Sequence, residues 1–148
     1  MEHEKFMKMA ILEAEKAAEA GEVPVGAVII CNNRPIARAH NQTELLNDVT
    51  AHAEILAITA AANNLGSKYL KDCTLYVTLE PCTMCAGALS WSQISNIVYG
   101  ASDDKKGYTC FNEKILHPKT NIIKGILANE CADLMTEFFR ERRRKTDV

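Results

Sequence analysis

Apolar residues open the chain at helical spacing. Phe6, Met7, Ala10, Ile11, Ala14, Ala17 and Ala18 fall on one face, and Gly21 follows as a stop. The pattern then changes to a compact β-rich run from Val25 to Cys31. Asn32-Asn33 tolerates the positive φ angles of a tight hairpin turn, so Ile36 to Ala39 reads as the returning strand. Pro35 near its start predicts an edge strand or a strand end, because proline has no N–H for a ladder. Asn41 to Val49 is polar and irregular, and reads as a loop. A helix is predicted from about Ala51 to Asn64, with Thr50 as its N-cap and Gly66 past its end. Thr74 to Leu79 is a strand, and Pro81 fits the first turn of a helix reaching to about Trp91. Ile97 to Gly100 is a short strand, Ala101 to Pro118 a long loop with a helical turn, and Asn121 to Lys124 a last strand. The final helix begins near Leu127 with the stripe Leu127, Cys131, Leu134, Met135 and Phe138, which places Phe138 in the core.

Strands alternating with helices imply a central sheet covered by helices. No repeat, low-complexity segment or Pro/Gly/Ser linker interrupts the 148 residues, so one domain over 1–148 is expected. Apolar residues at 47% supply a sizeable core without disulfides. A formal net charge of -2 excludes a surface that is basic throughout, but it allows a local basic patch. No run of about 18 apolar residues occurs, so no membrane span is expected. The N-terminus carries acidic residues and no apolar block before a cleavage site, so a secretory signal is not expected and the cytoplasm is the expected compartment. Of the six cysteines, Cys31, Cys73, Cys110 and Cys131 stand singly and read as small buried hydrophobes; Cys82 and Cys85 form the one close pair.

The chemistry concentrates in His52-Ala53-Glu54 and Pro81-Cys82-Thr83-Met84-Cys85, each at an expected helix start. Cys82 and Cys85 are three residues apart, so on a helix they face the same way. A helix N-terminus stabilises thiolates, and thiolates with imidazole suit zinc. Two cysteines and His52 make three ligands and leave a tetrahedral ion one open position, the arrangement of a catalytic site. An ion there lowers the pKa of a bound water to about 7, and Glu54 is the candidate to carry its proton. Helix positions two apart differ by roughly 200° in azimuth, so Glu54 is expected beside the metal rather than on it.

Other uses of these residues compete. A lone C-x-x-C in a reducing compartment also fits a redox pair. A closed structural zinc site would need a fourth ligand from Cys31, Cys73, Cys110, Cys131, His3, His40 or His117, none at motif spacing.

The segments Thr50 to Glu54 and Leu79 to Ala88 carry the H-x-E…P-C-x-x-C pattern and resemble the zinc-dependent nucleobase deaminases. Glu22 to Val28, Asn41, Gly100 to Asp103 and Phe138-Phe139-Arg140 extend the likeness, over nearly the whole chain, to their bacterial tRNA adenosine deaminase branch. The resemblance implies a cytidine deaminase-like three-layer α/β/α sandwich with a five-stranded mixed sheet, one zinc per subunit, and a homodimer with its sites near the interface. It implies conversion of the wobble adenosine of a tRNA anticodon stem-loop to inosine by zinc-activated water, with Glu54 as proton carrier. It makes Asn41 a reader of the base edge, Val25 and Leu79 pocket walls, and Asp103, Lys105, Phe139 and Arg143 RNA contacts. Between Arg140 and Lys145 there are five cations and one anion, which suits a nucleic-acid backbone and equally suits the negative end of a helix dipole. Gly107 to Phe111 departs from the small-residue stretch usual in that branch, and Thr83 stands where Val is common. The same chemistry on a free base or nucleoside (guanine, cytosine or cytidine) is the alternative. A non-catalytic zinc-bearing RNA-binding subunit is a third reading, against which Glu54 argues.

Overall fold

The computed structural model describes residues 2–146. Residue 1 and residues 147–148 of the expected domain lie outside the described residues. The elements run α1 (Glu2–Glu19), β1 (Gly26–Cys31), β2 (Arg34–His40), α2 (Ala53–Leu65), β3 (Cys73–Leu79), α3 (Thr83–Ser92), β4 (Asn96–Ala101), β5 (Asn121–Lys124) and α4 (Ala128–Thr146). A 3-10 turn, Tyr108–Cys110, interrupts the long connection before β5.

The sheet order is β2-β1-β3-β4-β5. β1 pairs antiparallel with β2 and β3, while β3, β4 and β5 run parallel. Successive residues serve opposite faces, as strand geometry requires. Ala27, Ile29, Leu75, Val77, Ile97 and Tyr99 pack under α2 and α3. Val28, Ile30, Tyr76 and Val98 pack under α1 and α4. Burial on both faces explains why β1 reads as an unbroken apolar run, and in β3 it leaves even Thr78 buried.

Asn32 and Asn33 both take positive φ, 51° and 62°, in the hairpin turn the sequence predicts. β2 is an edge strand, and its ladder slips by one residue beside Pro35, where a missing N–H does least harm. Gly100 lets α4 sit close over β4, since a Cβ there would overlap the sulfur of Cys131, which is a small buried hydrophobe as expected. Cys73 is also buried, but Cys31 is half-buried and Cys110 is exposed. Cys110 lies in the turn after β4, where its thiol donates to the Asp103 and Asp104 carbonyls rather than packing. Phe138 is half-buried, not core; it lines a groove between α1 and α4 with Ala18 and Gly21. No helix among the described residues is long and apolar enough to cross a membrane.

Candidate active site

Two helix starts meet beside the C-terminal end of β3. Both begin with an extended residue that carries a ligand side chain. His52, not Thr50, is the N-cap of α2, with φ -72° and ψ 155°. Thr50 lies earlier, in a turn where its N–H and hydroxyl both donate to Asp48 Oδ1. Cys82 is the N-cap of α3, so Pro81 precedes the helix rather than opening it. Neither N-cap side chain makes a capping hydrogen bond, and the two turn toward each other instead. His52 Nδ1 lies 3.6 Å from Cys82 Sγ and 3.5 Å from Cys85 Sγ.

These three donors lie within 4.8 Å of one another, and no fourth His or Cys joins them among the described residues. Zinc–sulfur and zinc–nitrogen bonds of about 2.3 and 2.05 Å at a tetrahedral angle put sulfur and nitrogen about 3.6 Å apart. The observed spacings match, so the donor set fits a tetrahedral zinc with one open position.

Hydrogen bonding polarises the cluster before any ion binds. The Cys85 thiol, and after it the His52 ring, holds the Cys82 thiol down at about 4. The same bond to the Cys82 sulfur, with burial, pushes the Cys85 thiol well above the ordinary range. The hydrogen bond to Cys82 raises His52. Binding a divalent ion as a dithiolate therefore releases protons.

Glu54 is the second residue of α2, in its first turn, and is 4% exposed. Burial pushes its carboxyl up to about 7, and the Cys82 charge adds to the effect. A carboxyl raised above its unfolded value stabilises the fold below that value and loses the contribution as pH rises through 7. In chelator-treated protein, the stability of wild type relative to Glu54→Gln should therefore fall by on the order of 3 kcal/mol between about pH 4 and pH 8. Chemical denaturation across that range checks this; parallel curves would remove the proton from Glu54.

A cavity of about 290 Å³ opens beside the cluster, lined by His52, Glu54 and Cys82. Of the residues expected to touch substrate, Val25, Asn41, Leu79 and Asp103 line it. Asn41 Nδ2 donates to the Val23 carbonyl at 3.3 Å and Oδ1 accepts the Thr43 N–H at 3.4 Å, so it bonds its own loop and still has a donor and a lone pair for a ligand. Buried Glu22 fixes that loop by accepting the N–H groups of Glu44 and Leu45.

Lys105, Phe139 and Arg143 lie outside the lining. Lys106 takes the place expected of Lys105, and Val23, Thr43, Glu80 and Met135 are further walls that sequence reasoning missed. Met135 had a signal, as a member of the α4 apolar stripe; nothing in the sequence separates two adjacent lysines.

A mixed five-stranded sheet between helix pairs, with a His-Cys-Cys cluster and a buried glutamate at one cavity, defines a nucleobase deaminase-type domain. The chain belongs to the MafB19-like deaminase family, whose profile matches residues 1–143. A tRNA-specific adenosine deaminase of Agrobacterium fabrum is 45% identical over 147 residues, which is 96% of this chain and 97% of the relative. A structure from a study of A-to-I editing by tRNA deaminases at the wobble position of transfer RNA superposes with TM-score 0.82 at 44% identity, over 88% of this chain and 98% of that one. A guanine deaminase of Bacillus subtilis gives TM-score 0.66 at 42% identity, over 69% of this chain and 66% of that one.

Proposed function

We propose that this protein hydrolytically deaminates the wobble adenosine of a tRNA anticodon to inosine, releasing ammonia. The cavity carries this reading: its volume is at the small end of ligand sites, suited to one flat base, and one wall joins a proton-holding carboxyl to a three-donor metal cluster. His52, Cys82 and Cys85 would hold zinc, which when bound supplies an acidified water.

Glu54 takes a proton from the attacking water and passes it to the ring nitrogen next to carbon 6. It takes the second water proton to the exocyclic amine, which leaves as ammonia. Burial favours the protonated carboxyl, which suits a group that must hold the proton between the two transfers. Asn41 offers its free amide valences to the base edge, between apolar walls at Val25 and Leu79.

The near full-length likeness to proteins named tRNA-specific adenosine deaminases supports tRNA as the substrate. So does α4: Met135 lines the cavity, and Phe139 and Arg143 follow at successive four-residue steps on the same helix face, leading outward. Phe139 is 40% exposed and available for base stacking. The guanine deaminase likeness motivates a second reading, a free base or nucleoside, but it covers 66% of that chain against 98% for the tRNA deaminase structure. The six thiols are free, which suits a reducing cytoplasm.

The homodimer forms through the outward face of α3, where Met84 and Trp91 are exposed, Trp91 at 85%. Trp91→Glu should give a monomer by sedimentation; an unchanged dimer would remove that surface from consideration. The substrate reading is tested by incubating zinc-loaded protein with a wobble-adenosine stem-loop and with free adenine, guanine, cytosine and their nucleosides. Ammonia should come from the stem-loop; ammonia from a free base alone would overturn the reading.

A further inference from the structure

The connection after β4 is fastened to the segment bearing the metal ligands by a buried carboxylate. Glu80 is 4% exposed. Its Oε1 accepts the Asp103 N–H at 3.1 Å, and its Oε2 accepts the Thr109 N–H at 3.1 Å and the Thr109 hydroxyl at 2.7 Å. Beside these bonds, the Tyr108 N–H donates to the Pro81 carbonyl at 2.9 Å, and Cys82 and Gly107 form an antiparallel bridge. Gly107 has φ -61°, open to any residue; what it needs is space, since a Cβ would overlap the Glu80 carboxylate and the Asp103 carbonyl.

The anchored Asp103 then turns the chain. Its Oδ1 accepts the N–H groups of Lys105 and Lys106 at 3.1 and 3.0 Å. This turn brings Lys106 to the cavity lining and leaves Lys105 outside it. Lys106 is the only lysine or arginine lining the cavity among the described residues. No ion pair among those residues involves it. Its side chain is exposed, so its ammonium is available at a site where a strand must enter.

Resting on the tRNA reading, we propose that Lys106 meets a backbone phosphate next to the target nucleotide, and that Glu80 is the positioning residue that holds it there. A lysine at this place suits the task, because phosphate contact needs a charge and no base-specific geometry.

The test uses zinc-loaded protein and the wobble-adenosine stem-loop. Lys106→Ala should raise KM about tenfold, as loss of a charged hydrogen bond does, and lower kcat less. It should also reduce the slope of log KM against log salt by about 0.7 to 1, one phosphate contact. Lys105→Ala should move both less. Glu80→Gln keeps the shape but sets an amide against a main-chain donor; zinc content should hold while the Asp103 and Thr109 amides exchange about tenfold faster relative to β3 amides. Thr109→Val removes one of the three bonds from an exposed position and should act in the same direction if Glu80→Gln does not fold. In the double variant, Lys106→Ala should add little to the KM change from Glu80→Gln.

Unchanged KM and salt slope in Lys106→Ala would overturn the phosphate contact, and unchanged exchange in the Glu80 and Thr109 variants would overturn the positioning role. If the wild type acts on a free base and not on the stem-loop, the substrate reading falls and the phosphate contact with it. The exchange result still decides the role of Glu80.

Discussion

Glu54→Gln in zinc-loaded protein should retain the metal and lose about 10²- to 10⁴-fold in kcat, the usual contribution of a positioned acid–base group. The amide matches the carboxylate in shape, so the buried wall of the cavity is kept. It cannot take a proton from water or give one to a leaving amine. Glu54 is no member of the donor cluster, and so zinc content should equal that of the wild type. Full turnover with bound zinc would remove Glu54 from the reaction. Loss of zinc together with turnover would make it a ligand or a structural support instead.

The second large effect concerns the cluster itself. His52→Ala, Cys82→Ala and Cys85→Ala should each weaken zinc by more than the 10- to 100-fold expected of outer-shell changes, and turnover should vanish with the metal. Each leaves two donors of three. Zinc should stabilise the wild type by about 4 kcal/mol when free metal stands about 1,000-fold above Kd, and should stabilise the variants far less. Cys82→Ala also removes the sulfur that bonds both His52 and Cys85, so in its metal-free form the Cys85 thiol should titrate lower than in the wild type, while burial and Glu54 still hold it above an ordinary thiol. A variant that binds zinc as wild type and still turns over would show that the donor set lies elsewhere.

The sequence carried the architecture where local chemistry and periodicity agreed. Asn32-Asn33, Pro35 and Gly66 each have a conformational preference that few neighbours can override, and the hairpin, edge strand and helix end appear where expected. Helix starts were harder. Thr50 has the better capping side chain, but His52 holds the position because its ring is turned to two sulfurs across the chain. Glu54 stands outside the donor cluster, but not because of a helical azimuth from His52, which has extended rather than helical angles.

The metal cluster was legible because it sits in two short, regularly spaced segments. The cavity walls were not, because they come from loops and a distant helix. Met135 reaches the cavity through the packing of α4 over the sheet, and Lys106 replaces Lys105 through an Asx turn hung on Glu80. Exposed Cys110 ends the 3-10 turn of the same connection, whose backbone course no burial habit of cysteine predicts.

The most direct test of the account is mass analysis of product formed from a wobble-adenosine stem-loop in heavy-oxygen water. Zinc-loaded wild type should yield inosine at that position carrying one solvent oxygen, with one ammonia released per inosine, and Glu54→Gln should yield none on the same timescale. Ammonia without inosine in the stem-loop, or inosine without solvent oxygen, would contradict it.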